Sequence, residues 1–312
     1  MNKRSFSSHV KEEICQNEIE SLAVKKAVLS AFIRVNGELT IRNKRSLLTL
    51  KNQNAKIVKY IYQLLSDVFP SNIHLEFHRK NQGTTYVINV DYRVDEMLDF
   101  LEVSYLEGKI SKNIVYDDDT ISGYLAGAFL ACGSVNSPYT SNYHLEYQFN
   151  NENYAKWFSH LFLRYKGVHL NPKTITRRDR YVVYLKKSDE IGDFLVLVHA
   201  SSSAMDFASV RISRDYNNQA NRLENLDLAN MSKTEEAGKR QAKEIKFLID
   251  KLGLENLGSK KVQVVASLRK EYISRSLDEI ASMASSVLGT PITKSNVNHI
   301  LRKLHEMYLK EK

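Results

Sequence analysis

The sequence predicts an α+β protein with an all-α addition: a pseudo-twofold mixed domain over 1–199, then a helical domain over 235–312, joined by a polar linker over 200–234. Three observations predict this. The order helix, hairpin, helix, hairpin, helix is legible twice, giving lobes of about 1–112 and 113–199. The helix that opens each lobe repeats small residues every four positions. Beyond about Glu235 the apolar periodicity is helical throughout.

In the first lobe, apolar periodicity places a helix over Ser21 to Val35, closed by Gly37, a residue suited to the left-handed turn that ends helices. The stretch ELTIRNKRSLLTLK alternates about a polar turn and reads as a hairpin. A helix over Asn54 to Phe69 follows, with Ile57, Ile61, Leu64 and Leu65 on one face. Two short strands, NIHLEFH and TTYVINV, and a helix from Val94 to Val103 complete the lobe.

The second lobe opens at DDDTISGYLAGAFLACG, where Asp119 or Thr120 caps the helix and the acidic run suits its positive dipole end. Metal ligation by Asp117 to Asp119 is the alternative use of that run. A strand at HLEYQF, a helix over NYAKWFSHLFLRY, strands in KTITRRDRYVVYLK and a helix over SDEIGDFLVLVH repeat the order of the first lobe. Superposing the opening helices aligns Leu29 to Gly37 with Leu125 to Gly133. Gly123, Gly127 and Ala131 then form one nearly bare stripe, with Ala27 and Ala31 at the equivalent places. Two such stripes allow backbones to approach closely, so the pair is expected to form a seam between the lobes. Ordinary helix packing with incidental small residues is the plainer alternative.

Composition excludes several classes. At 312 residues with 43% hydrophobic and 26% charged residues, 4 Pro and 12 Gly, the chain is globular, neither disordered nor fibrous. The net charge of +9 favours an anionic partner, nucleic acid first. Two distant cysteines, Cys15 and Cys132, make neither a disulfide framework nor a zinc module and suit a reducing cytoplasm. The N-terminal MNKRSFSSHVKEEI lacks the apolar run of a signal peptide, and no segment reaches the roughly 18 apolar residues of a membrane span.

The linker is Ser-rich, then strongly polar. Within it Asn218, Asn221, Arg222 and Asn225 share a helical face, a stripe able to satisfy a domain interface, grip phosphates or face water. Helices follow over Glu235 to Leu252, Lys260 to Tyr272 and Leu277 to Ala284, the last behind a Ser276–Glu279 capping box. After the turn-rich SSVLGTPIT, a helix from Thr293 to Tyr308 buries Val297, Ile300, Leu301, Leu304 and Tyr308. That leaves Lys294, Ser295, Asn298, His299, Arg302 and Lys303 outward, amide, imidazole and guanidinium groups suited to major-groove reading.

The LAGAFLACG helix resembles the LAGLIDADG motif of homing endonucleases, matching at Leu125, Ala126, Gly127, Ala131 and Gly133. The whole chain resembles the sporulation regulator WhiA (DUF199) family through SFSSHVKEEI, YLAGAFLACGSVNSP, the stretch around Asn221 and KSNVNHILRKL, in that order. That resemblance implies a LAGLIDADG homing-endonuclease-like domain followed by a helix-turn-helix, and a bacterial regulator of transcription, chromosome organisation or cell division. Asn217 stands where the family usually has Arg, and Asn296 where Gly is common. Active nucleases of the motif carry a metal-binding carboxylate before the final glycine of each helix; here those positions are Asn36 and Cys132. A neutral amide and a soft thiol suit magnesium poorly.

The expectation is therefore a cytoplasmic, nucleoid-associated, sequence-specific binder of double-stranded DNA with no catalytic residue, metal or cofactor. DNA contacts are assigned to Lys294, Ser295, Asn298, His299, Arg302 and Lys303, and to Asn218, Asn221 and Arg222. The hairpin cations Arg42, Lys44, Arg45, Arg177, Arg178 and Arg180 are either further phosphate contacts or solvated tips. The alternatives are an active endonuclease with its centre moved to Glu38, and an interaction protein of the division machinery that touches DNA secondarily.

Overall fold

A computed structural model describes residues 5–42, 45–70, 72–80, 83–104 and 112–312. The chain divides into two compact units, Met1–Arg214 and Asp215–Lys312.

The first unit begins with α1 (Phe6–Ile14), whose N-terminal amide at Ser8 is capped by the Ser5 hydroxyl. The first lobe continues through α2 (Leu22–Asn36), β1 (Gly37–Arg42), β2 (Arg45–Asn52), α3 (Ala55–Val68), β3 (Ile73–Lys80), β4 (Gly83–Val90) and α4 (Val94–Phe100). The second contains α5 (Asp118–Cys132), β5 (Gly133–Val135), β6 (Leu145–Phe149), α6 (Glu152–Arg164), β7 (Lys173–Arg177), β8 (Arg180–Leu185) and α7 (Ser188–Leu197). Each lobe has one antiparallel sheet, ordered β1-β2-β4-β3 and β5-β6-β8-β7. Strand alternation decides which face meets the core. Leu48 and Leu50 of β2 pair with Val90 and Ile88 of β4 and point inward with Ile57, Ile61 and Leu65 of α3. Leu145, Tyr147 and Phe149 of β6 do the same beside Phe158 and Phe162 of α6.

The two opening helices do abut. Ala27 and Ala31 of α2 are fully buried, and a Cβ built on Gly127 of α5 would lie 2.2 Å from the carbonyl oxygen of Val28. One on Gly123 would lie 2.8 Å from a Val24 methyl. Glycine at 127 is thus required by backbone approach, and the close fit buries Leu29, Phe32, Leu125 and Phe129, each contributing roughly 1.5–3 kcal/mol.

Several local expectations change. Gly37 and Gly133 are extended, at φ −76° and −71°, because a strand begins directly at each; no left-handed turn closes the helices. Gly133 is required instead by packing, since an added Cβ would lie 2.2 Å from the Phe129 ring. The cap of α5 is Asp117, one turn in a reciprocal box with Thr120, neither Asp119 nor Thr120 itself. The α4 helix stops at Phe100, short of Val103.

The polar stretch read as a linker over 200–234 is helical, part of α8 (Ser201–Leu252), which also absorbs the helix expected from Glu235. In the second unit α9 (Lys260–Glu271), α10 (Leu277–Leu288) and α11 (Lys294–Glu311) pack with α8 around Ile245, Leu248, Val265, Ile280, Val297 and Leu301. The α10 helix runs four residues past Ala284 and ends at left-handed Gly289. The connector to α11 is fixed by Ser285, whose hydroxyl accepts from the Ile292 amide at 2.8 Å. Buried Arg269 organises the turn before α10: its Nε donates to the Gln241 side chain at 2.8 Å and one terminal nitrogen to the Arg275 carbonyl at 2.5 Å. Among the described residues no helix is long and apolar enough to cross a membrane.

Candidate nucleic-acid interface

At the seam tips, the last turns of α2 and α5 deliver Asn36 and Cys132. The Asn36 side-chain oxygen accepts from the backbone N–H of Lys51 at 3.1 Å, tying helix to sheet. The Glu38 carboxylate is held by the ammonium of the same residue, Lys51, at 2.5 Å. On the other tip, burial pushes the Cys132 thiol up to about 12, with its sulfur near the Gln148 amide and the Lys11 charge. Lys11, from α1, donates to the Leu130 carbonyl at 3.4 Å and lies 5.6 Å from the Phe129 ring centre. Desolvation lowers its pKa. A cation at the carbonyl end of α5 also complements that helix's negative dipole end. Beside the tips, a cleft of about 340 Å³ is lined by Arg34, Cys132, Gln148, Asn150, Asn151 and Arg180. Arg34 stacks 4.9 Å from the Tyr154 ring centre and donates to the Ser104 carbonyl.

The outer sheet faces follow from strand register. In the second lobe, Lys173, Ile175 and Arg177 of β7 share a face with Tyr184, Val182 and Arg180 of β8 and with Glu146 and Gln148 of β6. Among the described residues Lys173 and Arg180 are exposed and enter no ion pair. Lys186 lies 5.3 Å from the Tyr184 ring centre. Burial alone would raise the Glu146 carboxyl, but hydrogen bonds from His144 and Gln148, with Arg177 nearby, bring it below its ordinary value. In the first lobe the same face carries Glu38, Lys51, Glu76, His74, His78 and Asn89. Its carboxylates are engaged locally: Glu38 by Lys51, Glu76 by Asn89 at 3.3 Å. Arg45 is exposed at the start of β2, while Lys44 lies outside the described residues. Arg178 has positive φ at the β7–β8 turn.

In the second unit, α11 is oriented by Val297, Leu301 and Leu304, which are buried against α9 and α10, while Ile300 and Tyr308 are only partly covered. Ser295, Asn298, His299 and Arg302 fall at successive helical turns on the opposite, exposed side, flanked by exposed Lys294 and Lys303. Lys294 reaches Asp278 of α10 at 2.7 Å, and Arg302 lies 3.8 Å from Glu306. Thr293 caps the helix, accepting from the Asn296 amide. Asn218, Asn221 and Arg222 are exposed on α8.

Sequence reasoning missed α1, and with it Lys11, although Ser5 followed by Val10 and Ile14 was the available cap and apolar signal. It also missed β5, which is three residues long, and Arg269, whose burial no charge pattern signals.

Comparison with known proteins gives a consistent result. A description of the WhiA N-terminal LAGLIDADG-like domain matches residues 23–104, the WhiA LAGLIDADG-like domain matches 121–217, and the WhiA C-terminal HTH domain matches 220–308. The probable cell division protein WhiA of Lacticaseibacillus casei (strain BL23) is 37% identical over 315 residues, covering 97% of this chain and 96% of that protein. Its counterpart in Staphylococcus aureus (strain USA300) is 36% identical over 309 residues, with 97% and 96% covered. The crystal structure of full-length DUF199/WhiA from Thermatoga maritima superposes with a TM-score of 0.59 at 21% identity, covering 98% of this chain and 99% of that one. The N-terminal LAGLIDADG domain of DUF199/WhiA gives 0.50 at 20% identity over 63% of this chain and 91% of that one. These two likenesses concern fold.

Proposed function

The chain belongs to the WhiA family, and on that premise we propose that it is a sequence-specific DNA-binding regulator of transcription or of chromosome and cell-division events, acting at the nucleoid in the cytoplasm without nuclease activity. The observation that carries this reading is the α11 face. A helix packed as the last member of a helix-turn-helix exposes Asn298, His299 and Arg302 together. Asparagine can address adenine and arginine guanine in the major groove, while Lys294, Ser295 and Lys303 suit phosphates. Asn218, Asn221 and Arg222 serve as an auxiliary phosphate contact in this reading. Genome-wide mapping of bound sites tests it: Asn298→Ala with Arg302→Ala removes site-specific occupancy, and unchanged occupancy refutes α11 as the reader.

Loss of cleavage is supported by donor chemistry at the seam tips. Asn36 presents a neutral carbonyl already engaged by Lys51, and Cys132 presents a proton-bound, soft sulfur. These residues do not fit a hard divalent cation, which needs several oxygen ligands, preferably charged. Glu38, the carboxylate nearest in sequence, is ion-paired with Lys51.

The names of the relatives favour a second reading, an interaction protein of the division machinery with secondary DNA contact. Salt separates the two. Direct duplex binding weakens with a log-log slope of about −0.9 per phosphate contacted, whereas a protein–protein docking role leaves no such slope.

A further inference from the structure

The side of α8 that the surrounding fold leaves uncovered carries a regular apolar seam. Within the second unit, Tyr216, Leu223 and Leu226 are 73%, 64% and 56% exposed, and every residue from Asp215 to Lys233 is exposed. A helix bare on all sides gains little from packing, and apolar residues scattered singly on a surface need no explanation. Leu228 and Met231, 57% and 69% exposed, lie elsewhere on the helix, but Tyr216, Leu223 and Leu226 share one register. Positions 216, 223 and 230 are spaced by seven, with 219 and 226 between them at the alternating three-and-four interval of a two-stranded coiled coil. The seam residues are therefore Tyr216, Gln219, Leu223, Leu226 and Asn230.

We propose that α8 pairs with α8 of a second copy of this chain as a parallel, two-stranded coiled coil over this seam. Three features select that occupant. First, the register repeats for successive heptads along one uninterrupted helix, which a globular partner's groove would not require. Second, the flanking charges are complementary to themselves. Arg222 precedes Leu223 and Asp227 follows Leu226, so in a parallel pair Arg222 of one chain faces Asp227 of the other, five positions on. Within one helix those two residues point about 140° apart and cannot meet. Third, Asn230 occupies a core position where a lone Asn favours a dimer in fixed register. The seam ends there: its next core positions are Lys233 and Ala237, and beyond Gly238 the second unit's own core takes Ala242, Ile245 and Leu248 from another side of the helix. The register sends Asn218 and Asn221 away from the seam and leaves them free for a phosphate, whereas Arg222 is taken up by the pairing with Asp227. Gln219 weakens the seam, which makes the pairing concentration-dependent.

Sedimentation equilibrium of the full chain over a wide concentration series is the test. The expected mass rises from 35.9 kDa toward twice that value. Leu223→Asp returns it to the monomer, and because Leu223 is exposed the monomer fold survives, as an unchanged circular dichroism melt verifies. Arg222→Asp opposes two carboxylates and weakens association about fivefold, and Arg222→Asp combined with Asp227→Arg restores it. A mass fixed at the monomer value throughout overturns the proposal. So does a dimer indifferent to Leu223→Asp, which would place the interface elsewhere, or a charge swap that fails to rescue, which would exclude the parallel register.

Discussion

The two sheets of the first unit have one strand order and two surfaces of different character. Inward, both obey the same alternation: Leu48, Leu50, Ile88 and Val90 in one lobe, Leu145, Tyr147, Val183 and Leu185 in the other. Outward they diverge. The first lobe sets Glu38 against Lys51 and Glu76 against Asn89, whereas the second displays Lys173, Arg177 and Arg180 against the single carboxylate Glu146. The seam helices differ in the same sense, with alanines in α2 and glycines in α5 sharing one contact. Burial constrains the core and the seam because a misplaced atom there costs packing energy. The outer faces carry no such constraint and are free to differ.

Breaking what the lobes share has the largest effect. Gly127→Ala drives a methyl into the Val28 carbonyl, destabilising by about 3 kcal/mol and lowering Tm by roughly 6–12 °C. Gly192→Ala in α7 is the control: its added methyl meets open space, and calorimetry should find it stabilising by about 0.5–1 kcal/mol.

The outer faces come next. Lys173→Glu, Arg177→Glu and Arg180→Glu together should weaken duplex binding at low salt and flatten its log-log salt slope by about 2–3. Arg45→Glu in the first lobe should change that slope by at most about 1. Equal effects from both lobes, read by fluorescence anisotropy across a salt series, would remove the asymmetry inferred from the faces.

The smallest effect distinguishes the tips. Burial raises the Cys15 and Cys132 thiols to about 12 from 9.0, so the fold favours their proton-bound forms. Below pH 9 that contribution is intact. As pH rises from about 9 toward 12 the unfolded chain releases those protons first, and stability falls by at most about 1.4 kcal/mol per thiol per pH unit. Buried Tyr124 and Tyr154 act in the same direction. Cys132→Ala should make the alkaline fall in denaturant midpoint shallower, while Asn36→Ala leaves its slope unchanged.

Much of this architecture was legible because period and side-chain size report burial directly. The alternation in HLEYQF and the small-residue stripe of α5 became β6 and the seam. The tips were legible in residue type only: that Asn36 and Cys132 lack carboxylates follows from the sequence, but Lys51 as the partner of both Asn36 and Glu38 required the pairing of β1 with β2. Polar composition at 200–234 left open whether the stretch is helical, since Asn, Ser and Asp lower helix propensity without forbidding the helix that forms there. Lys11 and Arg269 stayed hidden because a buried cation is set by tertiary neighbours, the Leu130 carbonyl in one case and Gln241 with the Arg275 carbonyl in the other.

Supercoiled plasmid incubated with the purified protein and magnesium or manganese tests the central claim most directly, that the seam persists while its tips no longer assemble a hydrolytic metal site. The account predicts retarded but uncut plasmid at every metal concentration. A nicked or linear product that disappears when Glu38 is changed to Gln would contradict it.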